Sequence, residues 1–244
     1  MRVFTCGRII INYISIGHGA KTIIFLHGWA GSTSSFLRLA TALSDKYRCI
    51  LVDFAGFGAT PEPNQPYKLR DYTNDLDALL IDLNIKECFF VAHSFGGRVA
   101  IDYASQEVHS QIKGMVLISS AGIKPRRGMK YYYKVSNYKI RKKLGLNTAN
   151  YGSDDYRALS PVMKGTFVNI VNEYSNKKLH NIHTATLIIN GDKDKETPLY
   201  MAKKLNRGIK ESALIVLKGR GHFVYLEEEY KCYKIIDSFL EGIN

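Results

Sequence analysis

One ten-residue stretch limits what this chain can become. Cys88-Phe89-Phe90-Val91 is a continuous apolar run, Ala92-His93-Ser94-Phe95-Gly96-Gly97 follows it, and Arg98 to Ser105 has the composition of a helix. A buried strand that turns at once into a helix brings the two backbones nearly into contact. With a serine at the turn, the residues two before and two after it must be small. Here they are Ala92 and Gly96. This is the layout of a nucleophile elbow, with Ala in place of the first Gly of the G-x-S-x-G pattern. The same layout also makes an ordinary tight turn, so its meaning depends on what the rest of the chain supplies.

The rest alternates strand and helix. Residues 3–16 read as an opening β-hairpin on a sheet edge. Thr22–Leu26 is a short, wholly apolar strand that ends at His27-Gly28-Trp29. Ser34–Ser44 has helical spacing, Cys49–Val52 is the next strand, and Pro61–Pro66 is a loop. Leu69–Leu83 is an amphipathic helix, Gly114–Ile118 a strand, Ala185–Ile189 another, and Ala213–Leu217 the last, with a closing helix at Glu228–Leu240. Apolar strands alternating with helices predict an α/β fold with a mostly parallel central sheet and helices on both faces.

The alternation breaks at about Ile123 and resumes after Asn181. The expected organisation is therefore a core of residues 1–122 and 182–244 with a small helical cap inserted at 123–181. Net charge is +12, and the insertion alone carries 13 Lys and Arg against 3 Asp and Glu, with seven of the 16 Tyr. Positive charge concentrates at Lys124–Lys134 and Lys139–Lys143. A solvated basic face is one reading, and docking of an anionic substrate or partner is the other. No nucleic-acid-binding module is recognisable.

The four cysteines, Cys6, Cys49, Cys88 and Cys232, form no C-x-x-C pair, and most lie in apolar runs. They read as reduced core residues. No run reaches the roughly 18 apolar residues of a membrane span, so a cytoplasmic protein is expected. No metal-ligand spacing or phosphate loop is present, so no cofactor is expected.

Acyl transfer by serine needs a base, a carboxylate to orient it and donors for the oxyanion. In open α/β sheets such groups gather beyond the carboxyl ends of the strands. After the strand at Ile189 comes Asn190-Gly191-Asp192-Lys193-Asp194, and after Leu217 comes Lys218-Gly219-Arg220-Gly221-His222-Phe223. Serine, aspartate and histidine thus stand at strand ends in the order Ser, Asp, His. Together with His27-Gly28-Trp29 and Asp53-x-x-Gly56-x-Gly58-x-Thr60, these motifs resemble the α/β-hydrolase superfamily over nearly the whole chain.

The resemblance implies Ser94 as nucleophile and His222 as general base. It places the triad acid at Asp194, with Asp192 as the alternative. It implies oxyanion donors at the backbone N–H of Trp29 and Phe95, and substrate contacts from His27, Trp29, Phe95 and Phe223. His27 is expected to hold the oxyanion loop, and His93 and Asp53 to be structural. The implied activity is cleavage of a carboxylic ester or related acyl compound through an acyl-enzyme. Hydrolysis of a carbon–carbon bond in a diketone-type substrate, and a ligand-binding receptor that keeps the triad, stay open beside it. Family members that cleave the methyl ester of a pimeloyl carrier protein hold that acidic partner with basic cap residues. This insertion is similar in charge, which adds an acidic carrier protein to the possible partners.

Overall fold

A computed structural model describes residues 2–6, 9–106, 111–146 and 154–243. Eight strands, β1 (Arg2–Cys6), β2 (Ile9–Ile16), β3 (Thr22–Leu26), β4 (Arg48–Val52), β5 (Cys88–His93), β6 (Ile112–Ile118), β7 (Ala185–Gly191) and β8 (Ser212–Leu217), form one sheet in the order β1-β2-β4-β3-β5-β6-β7-β8. The hairpin β1–β2 pairs antiparallel at one edge, and every pairing from β4 to β8 is parallel.

Side-chain alternation explains why these strands read as unbroken apolar runs. Ile24, Leu26, Phe90 and Ala92 enter one core, while Ile23, Phe25, Phe89 and Val91 enter the other. Helices α1 (Leu37–Leu43), α2 (Leu69–Asp82) and α3 (Phe95–Ala104) follow the early strands. The α2 and α3 residues Leu76, Leu79, Val99 and Ala100 cover the first face, and α1 covers the second with Leu39 and Leu43. Both faces are covered, so both residues of an alternating pair are mostly apolar.

Between β6 and β7 lie α4 (Met129–Lys143), α5 (Asp154–Ala158) and α6 (Pro161–Asn172). The start of α6 is locally encoded. The Ser160 hydroxyl accepts from Met163 N at 3.1 Å, and Pro161 occupies the first helical position, where no N–H is needed. Much of the basic stretch expected to dock a partner, at 130–142, has side chains outside the described residues.

Helix α7 (Leu199–Gly208) follows β7. After β8 the chain differs from expectation. The closing helix expected at Glu228–Leu240 is present as α9 (Glu229–Glu241), but a short unexpected helix, α8 (Val224–Glu227), precedes it, the two separated at Glu228 with φ −132° and ψ 50°. The break has a physical reason. Glu227 accepts from Gly221 N at 3.0 Å, and Glu228 pairs with Arg220 at 2.5 Å, so both carboxylates turn back to fix the loop that carries His222.

The fold places the site through β3 and β5. The strand β3 pairs with β4 on one side and β5 on the other, so the connections after β3 and β5 leave in opposite directions and open a crevice at the strand ends. Leu26 pairs with Ala92, which puts His27-Gly28 beside His93-Ser94.

Candidate active site

Ser94 is held in an unusual conformation, φ 49° and ψ −108°. L-residues avoid that region, so the turn is strained. Two backbone bonds enforce it: Ser94 N donates to Ile118 O at 3.1 Å, and Ser94 O accepts from Ala121 N at 3.0 Å. The small flanking residues have their reason in the same place. A Cβ at Gly96 would collide with the carbonyl oxygen of Leu26, and the methyl of Ala92 is already fully buried. Ser94 itself keeps partial exposure. Phe95 opens α3, so its N–H has no partner inside the helix.

The loop after β3 passes over this turn. A Cβ at Gly28 would lie 2.8 Å from His93 Nδ1 and 3.4 Å from Ser94 Cβ, so only glycine lets the backbone through. His27 organises the loop from beneath. Its Nδ1–H donates to Gly28 O at 2.7 Å, and its Nε2 accepts from Phe54 N at 3.1 Å. Burial lowers its pKa to about 4, and the Gly28 carbonyl and Asp53 only partly counter that. His27 was expected to contact substrate, but it is 1% exposed with both ring nitrogens used, so it has nothing to offer a ligand. Asp53 links two loops, accepting from Thr33 N at 2.6 Å and Ala59 N at 2.9 Å.

His222 and Asp194 meet across 28 residues of sequence. His222 Nδ1 donates to Asp194 Oδ2 at 2.9 Å, with both residues buried. Asp192 lies elsewhere, accepting from Gly219 N at 2.7 Å. Asp194 Oδ1 accepts from the N–H groups of Glu196 and Thr197, each at 2.9 Å, and the Thr197 hydroxyl stands 2.7 Å from Oδ2. Burial works to raise the Asp194 carboxyl. The hydrogen bonds from His222 and Thr197 outweigh it and hold the pKa at about 2. The imidazole therefore faces a carboxylate, which fixes a proton on Nδ1.

His93 supports His222 from behind. Its Nε2–H donates to the His222 carbonyl at 3.1 Å, and the two rings lie 4.7 Å apart. Phe223 is half-exposed, with its ring 5.3 Å from His93 and 5.4 Å from His222.

Trp29 joins the sheet core to α6. Its ring meets Phe57 at 4.8 Å and Phe95 at 5.5 Å below, and Phe167 of α6 at 5.2 Å above, all edge-on. Phe95 was also expected to touch substrate through its side chain. Instead it is 3% exposed among Phe54, Tyr72 and Trp29, because the first residue of α3 faces α2. The end of α6 is further anchored by Arg98, whose buried guanidinium donates to Ile170 O at 2.7 Å and to Glu173 O.

Sequence reasoning missed Thr197, Glu196, Arg98 and Phe167. Thr197 had a local signal. An aspartate two and three residues before free N–H groups at a helix entrance is a capping arrangement, and Asp194-Lys-Glu-Thr-Pro198 has that form ahead of α7. Arg98 and Phe167 had none, since their partners lie about 70 and 140 residues away in sequence. Among the described residues no group of three His, Cys, Asp or Glu is arranged to hold a metal ion, and no helix is long and apolar enough to cross a membrane.

The crevice, the strained serine and the carboxylate–imidazole pair define an α/β hydrolase, and the sequence agrees. Residues 21–162, more than half of the chain, match the family described as alpha/beta hydrolase fold, and residues 166–242 match a TAP-like protein family. The chain belongs to the α/β-hydrolase family. It is 28% identical to the AB hydrolase superfamily protein YisY of Bacillus subtilis over 92% of each chain. It is 23% identical to a 2-hydroxy-6-oxo-2,4-heptadienoate hydrolase of Pseudomonas putida over 98% of this chain and 95% of that one. A bromoperoxidase from Bacillus anthracis superposes with a TM-score of 0.77 at 25% identity, over 96% of each chain.

Proposed function

We propose that this protein is a serine hydrolase that cleaves a carboxylic ester or related acyl compound. The observation that carries the reading is the 2.9 Å contact between His222 Nδ1 and buried Asp194, in a chain whose strained Ser94 follows β5. In this reading His222 Nε2 takes the proton of Ser94 Oγ as Oγ bonds to the substrate carbonyl carbon. The carbonyl electrons move to oxygen, where the N–H groups of Phe95 and Trp29 receive the charge. The tetrahedral species collapses, and the leaving alcohol takes the proton from His222. Water then attacks the acyl-enzyme by the same route and frees Ser94. Asp194 keeps the imidazole in the useful tautomer and offsets its charge.

The likeness to the P. putida heptadienoate hydrolase favours a second reading, in which the bond broken is carbon–carbon. A panel of p-nitrophenyl esters set against vinylogous diketones separates the two. Ester turnover that disappears in Ser94→Ala supports the first reading. Diketone cleavage without ester turnover supports the second, and full ester activity in Ser94→Ala sinks the mechanism. An acidic carrier protein at the basic insertion is tested in the same panel. Carrier-linked esters alone should then lose turnover as salt rises.

A further inference from the structure

Away from Ser94, a cavity of about 470 Å³ opens where three stretches of chain converge. Lys124 and Arg126 come from the segment after β6, Tyr174, Asn176 and Lys177 from the segment after α6, and Lys204 from α7. The walls are tied together. Lys124 N donates to Asn176 Oδ1 at 2.9 Å, and Arg126 N donates to the Tyr200 hydroxyl at 2.9 Å. Two of the cations rest on aromatic faces: Arg126 lies 4.8 Å from the Tyr200 ring, and Lys124 Nζ 5.9 Å from the Tyr174 ring.

No carboxylate lines the cavity, and none of its four cations forms an ion pair among the described residues. The carboxylate of Glu173, next to Tyr174, faces Lys178 at 3.3 Å instead. Four like charges without counter-charge repel one another and favour an anion between them. Asn176 adds to this. Its oxygen is occupied by Lys124, so its amide donors are what remains for a ligand.

The donor set matches a dianion with several acceptor oxygens better than a single carboxylate, since a guanidinium fork and three ammonium groups need many acceptors. The volume is that of a small-molecule site, larger than inorganic phosphate fills. Tyr174 and Pro125 supply apolar wall for an organic portion. We infer that this cavity binds the phosphate of a phosphorylated small organic molecule.

The phosphate could arrive on the substrate or on a separate ligand. Ala121 N–H bonds to Ser94 O, and Lys124 is three residues on, so its Cα lies within roughly 11 Å of that of Ala121. An extended substrate can span such a distance.

Calorimetry on Ser94→Ala reads binding without turnover. Phenyl phosphate is expected to bind with Kd on the order of 0.1–1 mM and phenol not to bind. Lys177→Glu/Lys204→Glu should weaken phenyl phosphate at least about 10-fold, while Lys203→Glu/Lys210→Glu, with the same charge change outside the cavity, should weaken it less than about 2-fold. Lys177→Gln/Lys204→Gln gives the same comparison if the Glu pair does not fold. Equal losses in the two pairs, undiminished binding in the cavity pair, or no binding at about 10 mM overturns the site. Kinetics with Ser94 intact then separates the sources. A cavity pair that loses kcat/KM for 4-acetoxyphenyl phosphate but not phenyl acetate places the phosphate on the substrate. Lost phenyl phosphate binding with both esters turned over normally places it on a separate ligand. If no ester is hydrolysed, the hydrolase reading fails while calorimetry still decides the cavity.

Discussion

The Nε2 atom of His222 stands 3.3 Å from Oε2 of Glu196. In the proposed mechanism this is the nitrogen that takes the Ser94 proton, and the carboxylate beside it is 66% exposed at its side chain. A negative charge therefore stands beside His222, while the basic cavity gathers positive charge on other residues.

Glu196 should discriminate by charge. A carboxylate on the leaving group would meet it at about 7 Å in a wet environment, a repulsion of about 1 kcal/mol or a factor of about 5. Glu196→Gln is expected to raise kcat/KM for esters with an anionic alcohol about 5-fold and to leave neutral esters unchanged. The gain should fade at high salt. An equal change for both substrates would remove the electrostatic explanation.

The strained turn should cost stability. At φ 49° and ψ −108°, Ser94 occupies backbone space that glycine reaches freely. Relief is worth about 1–3 kcal/mol, less roughly 0.5–1 kcal/mol for glycine's extra freedom when unfolded. Ser94→Gly is expected to be inactive yet more stable by about 1 kcal/mol, raising Tm by roughly 2–4 °C. A lower Tm in thermal unfolding would mean that the turn is not strained.

Thr197 should act through Asp194. Thr197→Val keeps the shape and the backbone donor but removes the hydroxyl 2.7 Å from Oδ2. The Asp194 pKa should rise from about 2 toward the ordinary carboxylate value. Its depressed pKa contributes stability that is complete above the unfolded value near 3.9 and is lost as pH falls through about 2. The variant should therefore be less stable at pH 7, by about 1–2 kcal/mol. With the base less firmly held, kcat should fall about 10-fold with KM unchanged. A carbon-13 titration of the Asp194 carboxyl checks the first effect directly, and an unmoved titration would show that the hydroxyl does not hold the carboxylate.

Much of this arrangement was legible before any coordinates because strand ends are legible. The apolar runs at Thr22–Leu26, Cys88–Val91, Ala185–Ile189 and Ala213–Leu217 mark where the chain leaves the sheet, and His27, Ser94, Asp194 and His222 follow those exits. What failed was side-chain direction. Phe95 and His27 follow strand ends, but helix phase turns the first into the core and two backbone bonds turn the second inward. The closing helix begins where its periodicity predicts, but the short α8 ahead of it was hidden, because periodicity does not register two carboxylates folding back on Arg220 and Gly221. The basic cavity was hidden for a similar reason. Lys204 lies in the core sequence, far from the insertion whose charge drew notice, and only tertiary structure brings it to Lys124.

Acid should destabilise the fold through two of its buried histidines, His93 and His27. Burial lowers His93 to about 3, reinforced by the neighbouring His222, and lowers His27 to about 4. In the unfolded chain both titrate near 6.5. Between pH 6.5 and about 4 the unfolded chain therefore binds two protons that the fold refuses, and stability falls with pH by up to about 1.4 kcal/mol per unit for each histidine. Asp75 opposes them. Desolvation raises it to about 6, so it contributes stability that is present below 3.8 and lost as pH rises through 6. Two histidines against one aspartate leave a net loss on acidification. His93→Gln can still donate to the His222 carbonyl but does not titrate. Its stability, read by urea unfolding at pH 7, 6 and 5, should fall more gently than that of the parent, by up to about 1.4 kcal/mol per pH unit. Parallel curves for the two proteins would show that His93 takes up its proton in the folded state, and the dry environment behind His222 would have to be abandoned.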